Sequence, residues 1–128
     1  MKKFVFLFLF IFSCFALFAE ETVYEQTYDY SNRTEYIKLI KKHNYDYTII
    51  TINFDKKKNI ATRYYINCSE EEVIKTLLFE LENNRLEKNY SSQLEDITKN
   101  NSKYEFVESS IDTDNNIVFK DFFYFYVY

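Results

Sequence analysis

The chain has 128 residues, 16 Lys and Arg against 20 Asp and Glu for a net charge of −4, 13 Tyr and 14 Phe, and neither glycine nor proline. That length is one domain. The missing glycines exclude a phosphate-binding loop, a dinucleotide-binding turn and a nucleophile elbow, and the acidic balance argues against nucleic acid or an anionic membrane surface as partner.

Lys2 and Lys3 open the chain, residues 4–18 are almost wholly apolar, and Ala19 precedes the acids Glu20 and Glu21. Charge, apolar run, small residue and acid in that order form the pattern of an export signal peptide, so residues 1–19 are expected to be removed and 20–128 to form a single domain. The run falls short of the roughly 20 residues of a spanning helix, so no stable membrane span is expected after cleavage. Within it, Ile11-Phe12-Ser13-Cys14 resembles a bacterial lipobox, which makes Cys14 a candidate for lipidation. The apolar run continues past Cys14 to Ala19, where a lipoprotein turns polar, so cleavage after Ala19 is the preferred reading. Cleavage removes two lysines and half of the phenylalanines and leaves a net charge of −6 with every tyrosine retained. The abundance of Asn and Lys matches an AT-rich bacterial genome, and turns must be made by Asn, Asp and Ser.

Residues 22–30 alternate, with Tyr24, Tyr28 and Tyr30 on one face, which predicts a strand. Asn32 with Glu35 suits a helix cap, and Tyr36, Ile37, Ile40 and His43 fall at helical spacing, which predicts a helix ending near Asn44. The β-branched and aromatic residues 45–54 predict a strand, Asp55–Asn59 a hairpin turn and residues 60–67 a returning strand. Ser69-Glu70-Glu71-Glu72 reads as a capping box, and Val73, Ile74, Leu77, Leu78 and Leu81 as the apolar stripe of a helix with Glu80, Glu82 and Arg85 away from it. Ser92 with Glu95 could start a short helix using Leu94 and Ile97. Residues 104–109 predict a strand, 112–116 a turn, and residues 117–128, IVFKDFFYFYVY, the strongest strand of all.

The order is β-α-β-β-α-β-β: an α+β domain with an antiparallel sheet of about five strands and two helices packed on one face. The first six elements resemble the ferredoxin-like arrangement, with the C-terminal strand as an addition. Such an analogy of fold carries no function.

Candidate chemistry is sparse. After cleavage Cys68 and His43 are the only Cys and His, and nothing brings them together as a nucleophile pair. Three glutamates just after Cys68 would raise its thiol pKa. His43 alone makes no zinc site, and its spacing from Ile40 and Tyr36 makes it a packing residue. Asp112, Asp114 and Asn116 match the first ligand positions of a calcium loop, but Ile117 and Phe123 stand where the glycine and closing glutamate belong. No catalytic, cofactor-binding or metal-ligating residue is therefore assigned and no cofactor is implied. The final strand divides into Phe119, Phe123, Phe125 and Val127 on one side and Phe122, Tyr124, Tyr126 and Tyr128 on the other. That second, tyrosine-bearing side is the candidate partner face, because tyrosine combines an apolar body with a polar tip.

The expected protein is thus a small exported bacterial module, periplasmic or extracellular. It is expected to bind or assemble with a protein or other envelope component without catalysis, and a homodimer is among the assemblies considered. The alternatives are a lipid-anchored envelope protein tethered through Cys14 and a small secreted hydrolase using carboxylates.

Overall fold

The chain forms β1 (Glu21–Asp29), β2 (Arg33–Lys41), β3 (Tyr47–Asp55), β4 (Ile60–Cys68), α1 (Glu71–Asn84), α2 (Tyr90–Asn101), β5 (Ser102–Asp112) and β6 (Ile117–Tyr126). The computed structural model describes residues 20–42 and 46–126, of which 100–109, 125 and 126 are described in their backbone. One six-stranded sheet runs β1-β2-β3-β4-β6-β5. The first four strands are an antiparallel meander. β6 then pairs with β4 in parallel and with β5 antiparallel. Parallel neighbours need a long return connection, and α1, α2 and β5 form it.

The α+β class and the number of helices agree with the sequence reading, while the identity of one helix, the strand count and the strand order do not. Residues 33–41 are a strand, not a helix. Thr34, Tyr36, Lys38 and Ile40 lie on one face and Glu35, Ile37 and Leu39 on the other, and all seven are buried. A strand covered on both faces loses the apolar–polar alternation that marks a half-exposed strand, and the leftover apolar positions imitate helical spacing. The cap expected of Asn32 and Glu35 is absent. Asn32 lies in the β1–β2 turn closed by the Tyr30 amide on the Arg33 carbonyl at 2.8 Å. With six strands and consecutive helices, the sheet is mixed and lacks the first helix that the ferredoxin-like order requires.

Both helices pack on the face carrying Ile37, Leu39, Tyr47, Ile49, Tyr64, Ile66 and Tyr124. α1 contributes Ile74, Leu77 and Leu81, as its periodicity predicts. Its N-cap is Glu70 with no side-chain cap bond, so the box expected of Ser69 does not form. Glu71 and Glu72 still place negative charge in the first turn, where the helix dipole favours it. α2 is longer than its sequence suggests. Asn89 Oδ1 accepts the Ser92 amide at 2.8 Å, and buried Tyr90 and Leu94 anchor the helix. Gln93, also buried, donates to the carbonyls of Leu81 and Lys88 at 3.1 and 2.8 Å, which closes the end of α1.

The opposite face carries a second core of Tyr36, Ile40, Ile50, Ile52, Phe54, Ala61, Ile117 and Phe119, to which neither helix contributes. Arg63 and Asp121, register partners on that face, form a two-pronged ion pair at 2.5 and 2.7 Å. The β3–β4 and β5–β6 hairpin turns use the same device. Asp55 Oδ1 accepts the amides of Lys57 and Lys58, and Asp112 Oδ1 those of Asp114 and Asn115. Each turn then ends on an asparagine at positive φ, Asn59 at 55° and Asn116 at 54°. Asparagine is the residue besides glycine that most readily adopts this conformation, so this glycine-free chain uses it to close these two turns.

Candidate functional site

The densest polar cluster joins the sheet edge to the helices. Tyr24 and Tyr28, four residues apart on one face of β1, reach α1 and donate their hydroxyls to Glu82 Oε2, Tyr28 at 2.8 Å. Tyr90, fully buried at the start of α2, donates to Glu82 Oε1. One carboxylate thus accepts three phenols from two elements. Burial first, and then the Glu82 charge, push the hydroxyls of Tyr24, Tyr28 and Tyr90 above their ordinary pKa, so they are fixed as donors. Arg85, one turn on from Glu82, lies over the Tyr28 ring at 3.9 Å and donates to the Tyr30 hydroxyl at 3.0 Å.

Glu35 lies beside this cluster, opposite Tyr28 in register, and is completely buried. Burial pushes its carboxyl above the ordinary value of 4.5, against the pull of Arg33, whose Nε stands 3.3 Å from Oε1. Oε2 has no hydrogen-bond partner, and neither does Oδ1 of Asn53, the residue opposite Glu35 on β3. Sequence reasoning missed this cluster by placing Glu82 and Arg85 on the solvent side of α1. The usable signal was Tyr24 and Tyr28 on one strand face, whose polar tips need partners when their rings are covered.

The candidate partner face has a different setting. Phe122 and Tyr124 lie on the helix side of β6 and flank Tyr64 of β4. The Tyr64 ring stacks on Phe122 at 4.8 Å and 11° and on Tyr124 at 6.0 Å and 9°. Tyr124 belongs to the helix-side core, whereas Phe122 is half-buried. Together the three rings floor a cleft of about 370 Å³ against α2, rimmed by Glu95, Asp96, Thr98 and Lys99. Asp96 is held by Lys88 at 2.8 Å. The side chain of Tyr126, and Tyr128, Cys14 and His43 altogether, lie outside the described residues.

Cys68 is a free, buried thiol that donates to the Glu70 carbonyl at 3.6 Å, and burial pushes its pKa up. Residues 112–116 form the hairpin turn described above. A second cleft of about 300 Å³ opens on the other face, lined by Glu20, Ile40, Ile50, Tyr65 and Phe123 with Lys42, Thr48 and Asn67. Thr48 donates to Asn67 Oδ1 at 2.6 Å. Among the described residues, no group of three or more His, Cys, Asp or Glu is placed to hold a metal ion, and no helix is long and apolar enough to cross a membrane.

Comparison of the chain with protein-family models, curated proteins and solved structures finds no match.

Proposed function

We propose that this chain is a small exported α+β module of a bacterial cell envelope that binds a protein partner without catalysis. The observation carrying this reading is the cleft floored by Tyr64, Phe122 and Tyr124 beneath α2. Its volume is at the small end of ligand sites, enough for one or two side chains of a docked segment. Glu95 on its rim, on a chain of net charge −6 after cleavage, fits an apolar or aromatic side chain flanked by a cationic residue, while Asp96 is already paired with Lys88. The tyrosine–carboxylate cluster supports a non-catalytic role. Its phenols are held protonated and Glu82 is occupied by three donors, so neither is free to act as nucleophile or base.

The test uses the chain with its leader in a bacterial host, carrying Phe122→benzoylphenylalanine for photo-cross-linking. The expected result is a mature chain of residues 20–128 in the envelope fraction, with one protein adduct that Glu95→Lys with Asp96→Lys weakens at least several-fold. A cytoplasmic chain retaining Met1 overturns the export reading. A mature chain starting at lipidated Cys14 replaces the soluble module with the anchored one. Exported chain without an adduct overturns the binding cleft.

A further inference from the structure

We infer that Tyr30, Arg33 and Arg85 form a binding site for the phosphate group of a small, soluble phosphorylated ligand. Three segments bring them together: the β1–β2 turn, the start of β2 and the C-terminal end of α1. The Arg33 guanidinium lies over the Tyr30 ring at 4.3 Å, and Arg85 Nη1 donates to the Tyr30 hydroxyl at 3.0 Å. Both cations therefore meet at one phenol. Each is also held over a ring, Arg33 on Tyr30 and Arg85 on Tyr28, so little side-chain freedom is left to lose when a ligand binds.

What these three groups lack is an acceptor. Arg33 directs Nε to Glu35 Oε1 at 3.3 Å and Nη1 to Asn32 Oδ1 at 3.4 Å, both longer than the roughly 2.7–2.9 Å of a charge-assisted bond. Its Nη2 has no acceptor among the described residues, and neither have Nε and Nη2 of Arg85. The Tyr30 hydroxyl accepts from Arg85 and keeps its own proton to donate. The acids nearby are engaged elsewhere, Glu82 by three phenols and Asp29 by Lys56 and Thr34. Two guanidinium forks and a phenol, all donors and all half-buried, match an oxyanion. A carboxylate is satisfied by one fork, whereas a phosphate offers three oxygens to donors arriving from different directions. Lys57 and Lys58 stand exposed on the β3–β4 turn, which the Lys56 amide ties to the β1–β2 turn through the Asn32 carbonyl at 3.1 Å. They give an acidic chain a locally positive approach for a small anion. The net charge of −6 after cleavage repels an anionic bilayer and favours a soluble ligand.

The site shares no residue with the aromatic cleft and stands whatever binds there. Inorganic phosphate is titrated into the full chain at low ionic strength, where exposed charges are least screened. Binding is followed through the side-chain Nε–Hε NMR signals of Arg33, Arg63 and Arg85, the three arginines of the chain. Saturable shifts at Arg33 and Arg85 are expected, with Arg63, paired with Asp121, unmoved. Malonate, a dianion of two planar carboxylates, should bind at least several-fold more weakly, a comparison on the parent chain that needs no variant. Arg33→Lys and Arg85→Lys keep the charge but lose the fork, and each should weaken phosphate at least several-fold. Lys75→Gln removes a charge from the other end of α1 and should leave the affinity unchanged. Shifts that fail to saturate or that move Arg63 equally overturn the inference, as do malonate binding as tight as phosphate and arginine variants as tight as the parent. Capture on phosphatidic acid vesicles that both arginine variants lose overturns the soluble ligand.

Discussion

Glu82 shows what a single residue contributes to this fold. Three phenols converge on its carboxylate, and each would otherwise need a partner in a partly or wholly dry setting. The two edge-strand tyrosines are half-buried and can turn to water, whereas Tyr90 is fully buried and cannot. Stranding a buried hydroxyl costs more than deleting it, because a group without a partner keeps its full desolvation penalty. Glu82→Ala should therefore destabilise the protein by about 2–3 kcal/mol and Tyr90→Phe by about 1 kcal/mol. Because removing Tyr90's hydroxyl relieves the worst orphan left by Glu82→Ala, the double variant should lose less than the sum. Urea unfolding of the three variants measures this, and strict additivity would show that Tyr90 and Glu82 are not coupled.

At the scale of elements, β6 makes clear why a charge interrupts the most apolar stretch of the chain. Asp121 sits opposite Arg63 of β4 in parallel register, and both are nearly buried. Arg63 also lies over the Phe119 ring at 4.3 Å. Asp121→Ala leaves a guanidinium in that position without its two-pronged partner, a loss of about 2–3 kcal/mol after allowance for residual exposure. Arg63→Met with Asp121→Leu should recover most of it, since apolar pairs of similar volume often replace a buried ion pair at no net loss. Thermal unfolding of the single and double variants separates the two outcomes; a double variant no better than the single would mean that the pair fixes the register. Such pairings explain what was legible beforehand. β3, β4, α1 and β6 declare themselves through β-branched runs and an apolar stripe, and both hairpin turns through Asp and Asn. β2 did not, because its burial on both faces depends on β1, β3 and the helices, none of them local in sequence. The aromatic cleft was legible only in part: Phe122 and Tyr124 were placed on one face of the last strand, but the α2 wall and Tyr64 come from segments whose contact is set by the parallel β4–β6 pairing. The Glu82 cluster escaped for the same reason, since its two β1 tyrosines are 54 or more residues from Glu82 on α1.

For the molecule as a whole, Glu35 sets how stability responds to pH. Its carboxyl faces Arg33 on its own strand, the Tyr90 backbone and Arg85 on the helix side, Tyr28 on β1 and Asn53 on β3. Burial outweighs both arginines and raises its pKa above the ordinary 4.5. The folded protein therefore holds this proton more tightly than the unfolded chain, and the stabilisation is fully present below 4.5 and declines as pH rises through the raised value. Protonation also removes the charge from a carboxyl whose Oε2 is buried without a hydrogen-bond partner. Four exposed or partly exposed carboxylates act in the opposite sense. Asp29, Asp96 and Glu71, held by lysines, and Asp112, held by Asn115, are lowered, and their contribution is lost as pH falls through the lowered values. A stability maximum in mildly acidic solution follows, with a decline toward neutrality that belongs to Glu35. Glu35→Gln keeps an acceptor toward Arg33 and removes the titration. Its melting temperature should match the parent near pH 4.5, exceed it at pH 8 and stay nearly flat between, so that the gap widens steadily with pH. Parallel melting curves across that range would mean that Glu35 titrates alike in the folded and unfolded chain and that its burial does not outweigh Arg33 and Arg85.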